Sequence, residues 1–177
     1  GEGAYVNYFT INVSASTGDV GDFTVGDVDI NLAADATMTG TWYTAGFGVY
    51  ADENIGDVTI GKQTIAVATS ADFGDNYAYE HDFYANNGGI GDVEMGDIVF
   101  SGNGDNADID LDNYFWADDN IKSVTMGVVS ASADGEDSDV SIETSISASG
   151  EIGEISVGDL TAHAMGEDAD ADVMFDV

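Results

Sequence analysis

The 177-residue sequence predicts an all-β protein, a parallel β-solenoid in which five coils of 31–35 residues stack into a short rod. Three observations carry that expectation. Five successive segments open on the same motif, apolar and polar residues alternate with period two inside each segment, and glycine recurs at fixed places in a chain without proline. An antiparallel β-sandwich or meander is the alternative, with each repeat supplying a hairpin and a strand. Corner glycines that recur in register favour coils.

Residues 1–19 precede the first full repeat. Tyr5-Val-Asn-Tyr-Phe-Thr-Ile-Asn-Val-Ser14 reads as one β-rich strand that caps the first coil or completes a neighbour's sheet. The five openings follow: Val20-Gly-Asp-Phe-Thr-Val-Gly26, Ile55-Gly-Asp-Val-Thr-Ile-Gly61, Ile90-Gly-Asp-Val-Glu-Met-Gly96, Ile121-Lys-Ser-Val-Thr-Met-Gly127 and Ile152-Gly-Glu-Ile-Ser-Val-Gly158. They divide the chain into coils 20–54, 55–89, 90–120, 121–151 and 152–177. Each motif is apolar at its first, fourth and sixth places. A further apolar residue stands at the ninth, except where Gln63 replaces it. Ile65-Ala-Val67, Ile109-Asp-Leu111 and Val140-Ser-Ile142 continue the alternation, so each repeat holds about three short strands. The closing glycine of each opening marks a corner where a side chain does not fit. No segment has helical periodicity.

The end of the chain matters for assembly. The fifth repeat runs out at Phe175-Asp-Val177, and no polar capping element follows. An open terminal coil leaves unpaired backbone groups and apolar side chains, which makes it a docking surface. Tyr5, Tyr8, Phe9, Ile11 and Val13 at one end, with Met174, Phe175 and Val177 at the other, are the expected assembly residues.

The charge excludes several functions. Thirty-five acidic residues face two basic ones, Lys62 and Lys122, for a formal net charge of −33. Such a surface repels phosphate, so nucleic acid and anionic membrane are not its partners. No apolar run reaches the ~18 residues of a membrane helix. The absence of cysteine removes disulfides, thiol catalysis and thiolate metal sites. The chain opens at Gly1, as a processed or trimmed chain would.

Stacked coils stack their acids. The third motif place reads Asp22, Asp57, Asp92, Ser123 and Glu154; the eighth reads Asp27, Lys62, Asp97, Val128 and Asp159. Two unit charges one rung apart repel by roughly 1 kcal/mol in water. Lys62 relieves the second ladder, whereas the first calls for salt or a cation. Asp22, Asp57 and Asp92 are therefore candidate Ca2+ ligands, with Asp105 and Asp134 in Asp/Asn/Gly turns as two more. Asp108-Ile-Asp-Leu-Asp-Asn113 lacks the glycine of a helix-loop-helix calcium loop and alternates like a strand.

Catalysis has little support. Without arginine an acidic rod holds no uronate substrate, and His81 and His163 lie in different repeats with no serine motif between them. The aromatic residues gather late in the first three repeats. Neighbours on a strand face opposite ways, so Trp42, Tyr84 and Trp116 form a candidate ligand strip for glycans or proteins. Asn12-Val-Ser14 is a glycosylation sequon.

In the form Ile55-Gly-Asp-Val-Thr-Ile-Gly61, acidic, cysteine-free and turned by Gly and Asp, residues 20–177 resemble the β-solenoid passenger and filament proteins of bacterial and archaeal surfaces. The resemblance is architectural. It implies secretion, a place at the cell surface, and a structural role in adhesion, a fibre or a coat. The expected function is a self-assembling extracellular filament subunit whose partner is itself. A monomeric adhesin or carbohydrate-binding rod is the alternative, and a polysaccharide-cleaving β-helix is a remote one.

Overall fold

Each opening motif becomes a strand because its alternating side chains have two destinations, a core and water. The computed structural model describes residues 5–6, 9–32, 37–38, 45–67, 72–73, 77–103 and 107–177. Over these the chain is a parallel β-solenoid with three long sheets and no helix, so none that could cross a membrane. The opening sheet comprises Phe23–Val25, Val58–Ile60, Ile90–Met95, Ile121–Met126 and Ile152–Val157. The middle sheet comprises Val28–Leu32, Gln63–Val67, Ile98–Asn103, Val129–Asp134 and Leu160–Met165. The closing sheet comprises Phe9–Ala15, Ala45–Ala51, Tyr77–Ala85, Asp108–Ala117, Asp139–Ala148 and Asp170–Asp176.

Register follows the repeat. Val20, Ile55, Ile90, Ile121 and Ile152 stand side by side, and the corner hydrogen bonds span 35 residues in the early coils and 31 in the later ones. The longer coils carry a small fourth sheet between the middle and closing sheets, formed by Tyr5–Val6, Thr37–Met38 and Asp72–Phe73. Later coils replace it with a tight turn. Asp137 and Asp168 adopt φ of 55° and 60° there, and the Asp137 amide donates to the Glu167 carbonyl at 3.0 Å.

Inward residues form columns of like on like. Phe23, Val58, Val93, Val124 and Ile155 make one in the opening sheet; Val49, Phe83, Phe115 and Ile146 make another in the closing sheet. The Phe83 and Phe115 rings lie 5.2 Å apart and nearly parallel. Burial is complete in the inner coils, where each large aliphatic side chain contributes about 1.5–3 kcal/mol, and it falls away at both ends.

The corner glycines have a steric cause. A Cβ on Gly61 would sit 2.8 Å from the Asp27 nitrogen, and one on Gly127 would sit 2.8 Å from the Asp97 nitrogen. The corner is that tight because the Gly61 and Gly127 amides donate to the Val25 and Met95 carbonyls of the preceding rung at 3.0 and 2.9 Å. Gly21 and Gly26, in the first coil, meet nothing within 4 Å.

Gly127→Ala is expected to destabilise the rod by about 1–3 kcal/mol by forcing two rungs apart. Gly26→Ala in the isolated protein should stay within ~0.5 kcal/mol of the parent. Urea unfolding of both variants reads the difference, and equal losses would sink the close-approach account.

Candidate functional site

Three places could carry function: the corners, the outward face of the closing sheet, and the ends of the rod. At the corners the acid ladders are hydrogen-bonded structure. The Asp57 amide donates to Asp22 Oδ1 at 3.1 Å and the Asp92 amide to Asp57 Oδ1 at 3.0 Å. Along the eighth place the Lys62 and Val128 amides donate to Asp27 and Asp97 in the same way. A third ladder runs through Asp19, Asn54 and Gly89, with the same bond repeated between Glu151 and Asn120. Each carboxylate or amide oxygen thus accepts from the backbone one rung on.

Among the described residues the ion pair is Lys122 with Asp92. Cationic relief therefore falls on the ladder of Asp22, Asp57 and Asp92. The Lys122 ammonium and the Ser123 hydroxyl, 2.7 Å from Oδ1, hold the Asp92 carboxyl below its usual value. Among the candidate metal ligands, Asp134 ends a middle-sheet strand, remote from that ladder along the coil, and Asp105 lies outside the described residues. Among the described residues no three acidic or imidazole side chains converge as a metal cage.

Alternation along the closing strands sends Phe83 and Phe115 inward and turns Tyr84 and Trp116 outward. Tyr50, Tyr84 and Trp116 are in register on adjacent strands. Their ring centroids are separated by 6.1 and 5.7 Å with interplanar angles of 17° and 29°. Near-parallel rings that far apart are laterally offset, so they overlap like shingles and leave part of each face open. Tyr84 is 41% exposed, and Tyr50 donates from its hydroxyl to Asp82 Oδ2 at 2.9 Å. Tyr84 and Trp116 are thus brought together as the repeat implies, and Trp42 lies outside the described residues. Tyr50 completes the row. The shared Tyr-Ala and Trp-Ala repeat ends were the signal for it.

Beside this row the same face carries acids in register. Glu80, Asp112 and Glu143 are consecutive neighbours, as are Asp108, Asp139 and Asp170. Burial, reinforced by Asp82 and Asp112, pushes the Glu80 carboxyl up to about 8. Burial, then neighbouring carboxylates, raises Asp108 and Asp112 to about 6. Composition announces the acids, but only the register shows that they share one half-buried face.

Inside the rod a polar chain interrupts the apolar columns. Gln63 Oε1 accepts from the Tyr79 hydroxyl and faces His81 Nε2 at 2.9 Å; His81 Nδ1 lies 2.8 Å from Asn113 Oδ1, and Asn113 Nδ2 donates to Thr144 Oγ1 at 3.2 Å. Burial holds His81 down to about 4, so the ring is neutral at ordinary pH. A neutral ring donates to one amide oxygen only, and Gln63 Nε2 is buried without a partner. Turning that amide over gives His81 a donor to accept from. The break of pattern at Gln63 was the sequence's only trace of this chain.

At the ends, Phe9, Ile11 and Val13 lie on the edge strand that pairs with Ala45–Ala51, and Ile11 and Val13 are exposed. Met174 and Phe175 lie on the opposite edge strand, with Phe175 45% and Val177 61% exposed. A concavity lined by Ile155, Val157, Gly158, Leu160 and Phe175 opens on that end. Tyr8 and the side chain of Tyr5 lie outside the described residues.

Comparison with models of protein families, with curated proteins and with solved structures found no match to this chain.

Acidification should first stabilise the rod. Carboxyls whose folded pKa is raised contribute stability that is complete below their unfolded values near 4 and is lost as pH rises through 6 to 8. His81 acts oppositely, because its contribution is present above 6.5 and is lost as pH falls through about 4. At constant ionic strength the melting temperature should therefore rise from about pH 8 to about pH 6.5, pause where His81 offsets Glu80, and rise again below about pH 6 as Asp108 and Asp112 add their contribution. Glu80→Gln should flatten the upper part of that rise. A melting temperature that falls over this interval would overturn the assignment.

Proposed function

We propose that this chain is a non-catalytic structural subunit of an extracellular fibre, with copies stacked end to end so that the first coil of one seats on the last coil of the next. The observation that carries this reading is Gly26. Its counterparts Gly61, Gly96, Gly127 and Gly158 are glycine in every later coil, where a Cβ would meet the backbone of the preceding rung at under 3 Å. The first coil keeps glycine at that corner with nothing within 4 Å of it, as a surface that receives another rung needs.

The rest of the end surfaces supports it. The columns continue in kind from one end to the other: Ile155 and Val157 would meet Phe23 and Val25, and Leu160 would meet Val28. The small Ala162 would lie under Ile30, its counterpart in the same column. A net charge of −33 keeps rods apart laterally, and salt or divalent cations such as Ca2+ at Asp57 and Asp92 would tune their bundling. A fibre-forming role places the chain outside the cell or on its surface, with itself as partner.

The row of Tyr50, Tyr84 and Trp116 favours a second reading, a monomeric rod that binds glycans or another protein along its closing sheet.

Negative-stain electron microscopy with and without millimolar calcium separates the two. Stacking predicts uniform fibres with an axial repeat of roughly 25 Å, from five rungs of about 4.8 Å. Charge reversal at Asp57 and Asp92 should abolish any calcium-dependent bundling. Dispersed particles in every salt, with ligand binding lost in Tyr84→Ala and Trp116→Ala, would replace the fibre by the binding rod.

A further inference from the structure

The strand counts of the three sheets do not match, and that mismatch dictates how copies can join. Among the described residues the closing sheet has six strands, and the opening and middle sheets have five each. The chain enters through the closing strand Phe9–Ala15 and then makes five passes through opening, middle and closing sheets. Suppose a second copy continues the opening sheet, with its Phe23–Val25 beside Ile152–Val157. Its Phe9–Ala15 must then lie one rung before its own Ala45–Ala51. That rung is already filled by Asp170–Asp176 of the first copy. The other register, Phe9–Ala15 beside Asp170–Asp176, removes the clash but leaves one strand missing from both the opening and middle sheets. Such a gap of about one rung, 4.8 Å, would open the core to water.

Resting on the end-to-end reading above, we propose that Asp170–Asp176 is a displaceable cap, and that the junction forms when Phe9–Ala15 of a second copy takes its place against Asp139–Ala148. Three features of the two strands point the same way. Among the described residues, Asp170–Asp176 pairs with Asp139 to Ser145 and does not reach Ile146, Ser147 and Ala148. Carried along the same columns, Phe9–Ala15 spans Ile142 to Ala148 and sets Phe9 on Ile142, Val13 on Ile146 and Ala15 on Ala148. The cap also places Asp170 beside Asp139, extending a row of acids, whereas Phe9–Ala15 carries no charge. Every residue of the cap is exposed. Phe9–Ala15 keeps its own place beside Ala45–Ala51 and uses only its free edge, so one rung belongs to both copies.

The test uses the full chain with prolines that remove ladder donors. Met174→Pro with Phe175→Pro releases the cap, and Asn12→Pro with Val13→Pro disables the incoming edge. The cap-released variant should lower the critical concentration for fibres by about tenfold or more. The edge-disabled variant should raise it, and a synthetic peptide of residues 170–176 should inhibit the cap-released variant. Circular dichroism checks that each variant keeps its sheet content, and the peptide arm does not depend on folding of the edge-disabled variant. Fibres from the parent chain that form no more readily when the cap is released, with no effect of the peptide, would overturn the displacement while leaving end-to-end stacking intact. Absence of fibres from parent and variants alike would overturn both.

Discussion

Everything in this molecule depends on in-register parallel stacking at one rung spacing. Each residue has a neighbour of the same position about 4.8 Å above and below, so any property placed on one rung is repeated along the axis. Apolar residues gain from this, because Val, Ile and Phe pack well on their own kind, as Phe83 does on Phe115. The corner that closes each opening motif gains only without a Cβ, since the backbone approach at Gly61, Gly96, Gly127 and Gly158 leaves no room for one. Charge loses by it. A fold that repeats its positions must find a use for each repeated carboxylate.

At the corners that use is backbone hydrogen bonding. Asp22, Asp57, Asp27 and Asp97 each accept an amide proton from the rung that follows. This ties successive coils together and gives the negative charge a local partner. On the closing sheet several acids lie half-buried beside one another, and the cost appears as carboxyls raised by burial and by their neighbours. The same face bears the aromatic row. Both follow from one fact: closing-sheet strands of up to ten residues are longer than the corners require, and the outward half of each lies free of the repeat's tight geometry.

The repeat made the fold legible in the sequence. The five matching openings stand in register from Val20 to Ile152, and the alternation marks the strands that form the three long sheets. What it could not carry was anything that breaks the repeat. Gln63 read as an exception to an apolar column, and its role with Tyr79 and His81 needed the third dimension. The relief of an acid ladder was expected at Lys62, but the ammonium that reaches a carboxylate is Lys122, which arrives at Asp92 from the adjacent rung. Long flexible side chains choose partners by reach, which a position count does not contain. Residues 1–19 stand outside the repeat and read as a strand that caps the first coil or completes a neighbour's sheet, with no sign of which sheet they join. Phe9–Ala15 is a closing-sheet strand, in register with Ala45–Ala51 of the first coil.

The geometry of charge on such a rod separates end contacts from side contacts. At physiological ionic strength the screening length is about 8 Å, under two rungs. A copy seated on the end therefore feels only the acids of the nearest coils, chiefly Glu154, Asp159 and those of Asp170–Asp176. Against these it gains backbone pairing and burial of the terminal columns. A copy packed alongside brings whole lengths of acidic face within the screening distance and gains no ladder. In the proposed fibre, cohesion would thus be concentrated where repulsion is locally smallest. Exchanging the acidic edge strand for the uncharged Phe9–Ala15 at the junction would lower that repulsion again, at an end where backbone pairing can continue.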